Sequence, residues 1–403
     1  MRARNERPGA AADALPPPRH TPRVAVRPWL AGIALGALVA ASARGGPAPL
    51  PPQPPDVPWP TQSWPQGAPA AADATALTRA VEQLFAPTGR GGLPDTRALL
   101  VVQDGRVVLE RYAEGFGPDS RFHSWSMAKS VTHALVGVLV REGRLDLDAP
   151  APVPAWHAAG DPRAALTLRH LLTMTSGLDN ADGGEDPQSF VARILFGDLC
   201  ADTAEAAARV PLLHPPGTHW AYSTGTTQIV SGIVAHSVGG GREGMRSFLE
   251  RELVTPLGAK SLLLEFDAAG TPLGGGYLFA NARDWARLGE LYLRDGVWEG
   301  SRILPAGWVD FARRVAPAAN NGVYGAGFWV NGNPAEDQFR PLREGLEAFE
   351  MSGNAGQFVV VVPDRDLVVV RLGEMQRVTW GDLGDELSQL IAAFPPRRAE
   401  LSP

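Results

Sequence analysis

Lysine is nearly absent from this sequence of 403 residues. Of its 37 basic residues only two are lysines, Lys129 and Lys260, and the rest are arginines. A chain so biased toward arginine is expected to keep lysine mainly where arginine will not serve. One such place is a proton acceptor, because a guanidinium does not release its proton in proteins whereas a buried ammonium can.

Cysteine and metal-ligand spacings are also scarce. The single cysteine, Cys200, cannot form an internal disulfide. The eight histidines contain no HExxH or HxH pattern, so a metal site would need ligands assembled from distant positions. We therefore predict neither a metal nor a cofactor.

Basic runs are missing outside the N-terminal tail. The net charge is −6, and we find no RNA-binding signature. Since nucleic acids are held mainly through their phosphates by basic side chains, we exclude them as partners. The hydrophobic content of 44% and the charged content of 20% are typical of a soluble globular protein.

An apolar segment near the N-terminus resembles a secretory signal. Residues 29–41 carry no charge, follow Arg23 and Arg27, and end at the small-x-small pattern of Ala41-Ser42-Ala43. The segment is shorter than the roughly 20 residues that cross a bilayer as a helix. We predict export to the periplasm or the exterior, with membrane contact only through this segment if it is not cleaved.

Proline is dense between residues 45 and 69, which is typical of an extended spacer. We predict that ordered structure begins near Asp73. The predicted divisions are a tail with the signal-like segment over 1–44, a Pro-rich linker over 45–72 and one domain over 73–397, with a mainly helical part over about 144–275.

Two hairpins and a set of helices define the predicted fold. One hairpin turns at Asp104-Gly105, and the other joins residues 358–362 to 367–372. We predict an α+β fold with an antiparallel sheet of five or more strands built from both chain ends and flanked by helices. Apolar periodicity predicts helices at 73–86, 129–141, 167–173, 225–238, 243–253, 282–294 and 383–394.

The sequence Ser126-Met-Ala-Lys129 begins one of these helices. Residues three apart share a helix face, so the Ser126 hydroxyl and the Lys129 amine can meet. The free N–H groups of a helix start favour an oxyanion, and burial of Lys129 would lower its pKa. The pair therefore has the composition of a nucleophile and its base.

Two further segments carry candidate residues. Tyr222 is one of only five tyrosines, and a phenol near an amine can relay a proton or stay partly ionised; it could equally be a core residue that only packs. The second segment is 350–358, Glu-Met-Ser-Gly-Asn-Ala-Gly-Gln-Phe. Its small residues would let a substrate carbonyl approach backbone N–H groups, or they form a plain turn.

These motifs in this order, with Leu168–Leu178, Gly274-Gly-Gly and Asp284–Gly289 between them, resemble the serine β-lactamase superfamily. The similarity covers about 75–395 and is greatest to the group of class C β-lactamases, D-Ala-D-Ala peptidases, family VIII esterases and 6-aminohexanoate-dimer hydrolases. Motif sets of this kind are far more specific than any single motif.

The resemblance implies roles for seven residues. Ser126 would be the nucleophile, Lys129 its base, and Tyr222 the tyrosine of a Y-x-N-like element. The backbone N–H groups of Ser126 and Asn354 would form the oxyanion hole. The remaining residues of the two motifs, expected to line the substrate site, are Ser352, Gly353 and Thr224.

The chain departs from the family pattern at two positions. Met351 stands where Lys or His precedes Thr-Gly in many members, and Thr224 stands where Asn is common. The loss of a cation at 351 weakens the case for substrates that carry a carboxylate, although Arg340 or Arg343 could replace it. We therefore expect a small uncharged ester or amide as substrate, with β-lactamase or D-Ala-D-Ala carboxypeptidase activity as the alternative.

Two other interpretations compete with this one. Ala221–Gly225 is one residue from a G-x-S-x-G nucleophile elbow, but that fold needs its histidine late in the chain. The last histidine here is His236, so a Ser-His-Asp hydrolase is disfavoured. A non-catalytic receptor or scaffold protein of the same fold stays open, because a fold does not dictate a function.

Overall fold

The computed structural model describes residues 49–87, 95–183, 186–316, 322–331, 342, 345–375 and 379–397. The predicted signal-like segment at 29–41 lies outside these ranges, as do Arg340 and Arg343. Among the described residues, no helix combines the length and the apolar character that a membrane crossing requires.

The strands come mainly from the two ends of the described chain. They are β1 Thr96–Gln103, β2 Arg106–Tyr112, β3 Phe122–His123, β4 Leu263–Leu264, β5 Leu278–Ala280, β6 Val297–Trp298, β7 Ser301–Arg302, β8 Trp329–Val330, β9 Phe349–Gly353, β10 Gln357–Val362 and β11 Leu367–Gly373.

The helices fill the middle of the chain and flank the sheet at both ends of the sequence. They are α1 Ala74–Leu84, α2 Ala128–Arg141, α3 Leu168–Leu172, α4 Phe190–Phe196, α5 Thr203–Ala208, α6 Thr224–Val238, α7 Gly241–Leu249, α8 Thr255–Leu257, α9 Ala282–Leu293, α10 Trp308–Arg313 and α11 Trp380–Ala392.

The principal sheet has six strands in the order β2-β1-β11-β10-β9-β8. Its pairs are all antiparallel, which confirms the predicted α+β fold with a sheet built from both chain ends. The first hairpin turns at Asp104 and Gly105, whose φ angles of 52° and 71° match the turn that Asp-Gly favours.

The two faces of the sheet pack against different helices. Leu99 and Val101 of β1 pack with α1 and α11 in one apolar cluster, whereas Leu100 and Val102 pack with α2 and α9 in the other. This alternation follows from the two-residue period of a strand. On the α2 side of the sheet, the start of this helix, with its Ser-x-x-Lys sequence, lies beside the end of β9.

The Pro-rich stretch before α1 lies against the domain, and ordered structure begins earlier than the predicted start near Asp73. Val107 of β2 exchanges backbone hydrogen bonds with Pro65 and Gly67 at 2.8 and 3.0 Å. Trp64 is buried, and Arg287 donates to the carbonyl of Pro60 at 2.9 Å. Because proline lacks an N–H, a Pro-rich composition predicts no regular structure, but each proline keeps a carbonyl that arginine can bind. The prediction considered only the first property and missed these contacts.

Candidate active site

A strained turn carries Ser126. Residues Trp125–Met127 form a turn of 3-10 helix directly before α2. Trp125 has a φ of 47°, a left-handed conformation that costs a non-glycine residue about 1–3 kcal/mol. Ser124 ties the turn to β5, because its N–H donates to the Leu278 carbonyl at 2.8 Å and its hydroxyl accepts the Leu278 N–H at 3.1 Å.

Ser126 and Lys129 meet one helical turn apart, as their spacing predicts. The distance from Lys129 Nζ to Ser126 Oγ is 3.0 Å. The same nitrogen donates to Thr224 Oγ1 at 3.0 Å and to the carbonyl of Gly275 at 2.8 Å. Lys129 is only 3% exposed, so these three oxygens surround a nitrogen that is almost removed from water.

This arrangement also suits the neutral amine. A neutral lysine has two N–H groups and one lone pair. The Gly275 carbonyl has no hydrogen to donate, so it can bind only an N–H of Lys129. If Thr224 accepts the second N–H, the lone pair faces Ser126 Oγ and can take its proton.

Burial makes that neutral state accessible. It lowers the pKa of Lys129 to about 8, and the carboxylate of Asp182 opposes part of the shift. A base whose pKa lies near the working pH combines a useful unprotonated fraction with adequate basicity.

The glycine run brings the Gly275 carbonyl to Lys129. A Cβ atom at Gly275 would lie 2.9 Å from both Gln228 Oε1 and Thr224 Cγ2, closer than a Cβ atom approaches other heavy atoms in proteins. The Gly275 N–H donates to Gln228 at 2.7 Å. A residue with a side chain would push this backbone away from the base, which explains why glycine stands here.

Tyr222 lies beside the pair, where the sequence places its third member. The centroid of its ring is 4.9 Å from Lys129 Nζ. Burial raises the pKa of the phenol, and hydrogen bonds to the side chains of Ser126 and Trp329 offset only part of the rise. Tyr222 is therefore a neutral phenol at physiological pH, and of the two predicted behaviours, relay and partial ionisation, this environment favours the relay.

The third motif lies at the end of β9 against the Ser126 turn. A Cβ atom at Gly353 would overlap the carbonyl oxygen of Ser124, so glycine lets the strand approach. Ser352 is partly exposed, and Asn354, at the start of the following turn, is exposed. Met351 is buried in the larger apolar cluster and supplies no charge to the site.

Two residues that the sequence analysis missed hold the Asn354 turn. Gln357 Nε2 donates to the carbonyls of Asn354 and Ala355, each at 3.3 Å. Arg371 Nη1 donates to the carbonyl of Gly356 at 2.7 Å, and burial lowers the pKa of Arg371 to about 10. Gln357 stands in the third motif itself, whereas the carbonyl that Arg371 binds is 15 residues away in the chain. Both act on backbone carbonyls, which place no constraint on the residue type at the bonded position.

Asp182 is a third residue that sequence reasoning missed. It lies in the loop between α3 and α4, and its carboxylate accepts both the N–H and the hydroxyl of Thr224 at 2.8 Å. Thr224, predicted to bind substrate, thus contacts both Asp182 and Lys129. The acidic loop at 179–186 offers several carboxylates of equal standing, and only the folded loop distinguishes this one.

His170 has a structural role. It belongs to the capping box of α3, where its ring accepts the N–H of Thr167 at 3.2 Å. In the part of the chain that the structure describes, no group of three or more His, Cys, Asp or Glu side chains is arranged to hold a metal ion.

The model of one protein family, described as Beta-lactamase, matches residues 77–377. The chain belongs to this Beta-lactamase family. The match spans the Ser126 turn, Tyr222 and the end of β9, and it confirms the family resemblance that the motif order predicts. A relative of this chain is named as a hydrolase, so a hydrolase related to the β-lactamases is the coarse assignment.

Individual relatives agree with the family. The chain is 27% identical over 308 residues to a 6-aminohexanoate-dimer hydrolase of Paenarthrobacter ureafaciens, covering 71% of this chain and 73% of that protein. It resembles a family VIII carboxylesterase structure with a TM-score of 0.58 and 19% identity, covering 81% of this chain and 98% of the other. A penicillin-binding protein homologue from Caulobacter crescentus gives a TM-score of 0.57 and 20% identity, covering 81% and 98%.

Proposed function

We propose that the protein hydrolyses a small uncharged ester or amide through an acyl-enzyme on Ser126. The observation that carries the proposal is the environment of Lys129, a buried amine with its Nζ 3.0 Å from Ser126 Oγ and a pKa of about 8. A lysine with a purely structural role beside a hydroxyl would not have to be removed from water to this extent.

The proposed reaction has two steps. Lys129 takes the proton of Ser126 as Oγ attacks the carbonyl carbon, and the N–H groups of Ser126 and Asn354 bind the oxyanion. The Lys129 ammonium returns that proton through Tyr222 to the leaving alcohol or amine as its bond to the acyl carbon breaks, and an acyl-enzyme forms. Water then gives a proton to Lys129 and Tyr222 as it attacks the acyl carbon, and the same proton passes to Ser126 Oγ as the acid is released.

Charge at the site supports an uncharged substrate. Met351 offers no cation where many family members have one, and Asp182 places a carboxylate two hydrogen bonds from Lys129. A substrate carboxylate would gain no partner from Met351 and would be repelled by Asp182. β-Lactamase or D-Ala-D-Ala carboxypeptidase activity is therefore the second candidate, and it rests on family membership.

Labelling with a fluorophosphonate probe tests the proposal. We expect the probe to modify Ser126 in the wild-type protein, located by mass spectrometry of the labelled peptide, and to leave Ser126→Ala unmodified. Ser130→Ala is the matched control, because the Ser130 hydroxyl lies on the same helix but donates to the Gly327 carbonyl at 2.7 Å. A wild-type protein that stays unlabelled would identify a non-catalytic receptor or scaffold.

Substrate preference is the next prediction. We expect p-nitrophenyl esters with short acyl chains to be cleaved with a much higher kcat/KM than cephalosporins. A missing charge-assisted hydrogen bond weakens binding by about 1.5–3 kcal/mol, which corresponds to roughly 10- to 150-fold against the carboxylate-bearing lactam. A hydrolysis screen over small esters, linear amides and lactams measures the ratio, and a strong preference for the lactam would reverse this assignment.

Export is a further part of the proposal. It rests on the signal-like segment at 29–41 and its small-x-small sequence. N-terminal sequencing of the protein recovered from the cell exterior or the periplasm tests it.

A further inference from the structure

In the loop between α3 and α4, Asp182 makes three hydrogen bonds with the start of α6 and the residue pair before it. The N–H of Asp182 donates to the carbonyl of Tyr222 at 2.9 Å. In return, the N–H of Thr224 donates to Asp182 Oδ1 and the Thr224 hydroxyl donates to Oδ2, both at 2.8 Å. The carboxylate thus binds the residue that contacts Lys129, and its backbone binds the residue that contacts Ser126.

The direction of these hydrogen bonds is fixed by the donors available. A threonine hydroxyl has one hydrogen and two lone pairs. Burial raises the pKa of Asp182, and the Lys129 amine and the two hydrogen bonds from Thr224 oppose that rise. Because the ionised carboxylate can only accept, the Thr224 hydrogen points at Asp182. The oxygen of that hydroxyl therefore presents a lone pair to Lys129 Nζ, 3.0 Å away. Without Asp182 the hydroxyl could rotate, and its hydrogen could face the amine instead.

We propose that Asp182 is a positioning residue that acts through the Thr224 hydroxyl to keep a hydrogen-bond acceptor on Lys129. This inference rests on the proposed function, in which Lys129 is the base. Asparagine is common at this position in the family, and its amide oxygen is a hydrogen-bond acceptor. A threonine hydroxyl can take that place if a partner holds its orientation, and Asp182 is that partner.

Asp182 is also the charge that acts on the base. The titratable groups that face Lys129 from the elements around it are Asp182, Tyr222 and, behind Tyr222, Tyr324. Burial raises the pKa of both tyrosines, so they stay neutral. Of the three, Asp182 is the group whose charged form Lys129 and the hydrogen bonds from Thr224 favour, and its carboxylate in turn favours the lysine ammonium. Removing that charge is therefore expected to lower the pKa of Lys129.

Because the chain has only two lysines, the pKa of Lys129 can be measured directly. In the full-length protein grown with lysine labelled with ¹³C at Cε, NMR shows only two lysine signals, and Lys260→Arg assigns them. We expect Asp182→Asn to lower the midpoint of the Lys129 titration by about one pH unit, the lower end of the range for a nearby opposite charge. An unchanged midpoint in a folded Asp182→Asn protein would overturn the proposal.

Substitutions at Thr224 separate an effect carried through the Thr224 hydroxyl from a direct electrostatic effect of the Asp182 charge on Lys129. Thr224→Val keeps the shape and the Asp182 charge but removes the hydroxyl, so Lys129 loses an acceptor and its titration midpoint is expected to fall. Thr224→Ser keeps the hydroxyl and is expected to restore the wild-type midpoint. A midpoint that shifts in Asp182→Asn but not in Thr224→Val would overturn the proposal that Asp182 acts through the Thr224 hydroxyl.

Asp202→Asn is the matched control. It makes the same change of charge at the exposed N-cap of α5 and is expected to leave the Lys129 titration unchanged. The titration needs no substrate, so it gives a result even if no ester or amide is hydrolysed. Absence of turnover in the wild type would count against the proposed function, whereas an unmoved Lys129 midpoint counts against the role of Asp182.

In the activity assay we expect Asp182→Asn to change both the pH profile and the rate of hydrolysis. Lys129 must be neutral to accept a proton, so kcat/KM rises as pH passes the Lys129 pKa. In Asp182→Asn this acid limb is expected at lower pH, and the plateau is expected to fall because a weaker base drives proton transfer less well. A loss of rate with an unmoved limb would indicate a merely structural role and contradict the proposal.

Discussion

Lys129→Arg is expected to be nearly as inactive as Lys129→Ala, with kcat/KM for the best ester substrate reduced about 10³-fold or more in both variants. Arginine keeps the positive charge, but a guanidinium does not give up its proton at any pH that the protein survives. A site that needs only a cation would tolerate the change. A site that needs a base would not.

The pH dependence strengthens this test. With a pKa of about 8, the wild-type amine is mostly protonated at pH 6 and mostly neutral above pH 8. The wild-type kcat/KM is therefore expected to rise through this interval, and the residual activity of Lys129→Arg should lack the rise. Lys260→Arg is the matched control, since Lys260 is exposed, and it should keep the wild-type rate and profile.

Near-normal turnover by Lys129→Arg would refute the general-base role. It would leave Ser126 without the partner on which the acyl-enzyme mechanism depends. Because the larger guanidinium also has to fit a site in which lysine is 3% exposed, circular dichroism and a melting curve are needed to show that each variant is folded. A folded but inactive Lys129→Arg is the result we expect.

Tyr222→Phe is expected to reduce kcat/KM about 10²-fold or more, the usual contribution of a positioned proton donor. The change removes only the hydroxyl and keeps the ring that packs against Tyr324 and Trp329, with centroids 5.7 and 5.1 Å away. Stability should change little by comparison. The loss should therefore appear in kcat more than in the melting temperature.

Leaving-group dependence gives the sharper measurement. If Tyr222 passes a proton to the leaving group, the loss in Tyr222→Phe should be greater for alkyl esters than for p-nitrophenyl esters, whose leaving group departs without protonation. Tyr112→Phe is the control for loss of a tyrosine hydroxyl away from the site, since that hydroxyl binds Glu110. Equal rates for Tyr222→Phe and wild type would remove Tyr222 from the mechanism.

The sheet and the helix that carries the site were predictable because their signals are local. The Asp-Gly turn between β1 and β2 requires left-handed backbone at both positions, and the sequence supplies residues that tolerate it. The apolar period of 129–141 indicates a helix, and the spacing of Ser126 and Lys129 places them on one face of it. These inferences need no knowledge of the rest of the chain.

The Pro-rich segment and the loop at 179–186 were not predictable in the same way. Composition indicates that residues 45–69 form no regular structure, but it carries no information about which carbonyls accept hydrogen bonds from Arg287. Similarly, the acidic loop contains several carboxylates, and nothing in the sequence distinguishes Asp182. A contact to a backbone carbonyl, such as that of Pro60, leaves no constraint on residue type. The Asp182 carboxylate meets Thr224 only because the fold brings together two segments that are 42 residues apart.

The sequence by itself determined the Ser126–Lys129 pair, the order of the motifs and, through the absence of other lysines, the identity of the candidate base. Only the tertiary structure decided how that base is tuned. Its pKa depends on dehydration by the surrounding core and on a carboxylate from a remote loop, both of which exist only once the chain is folded. Covalent spacing fixes which groups can meet along a helix, but burial and electrostatic interaction depend on distances that the whole fold sets.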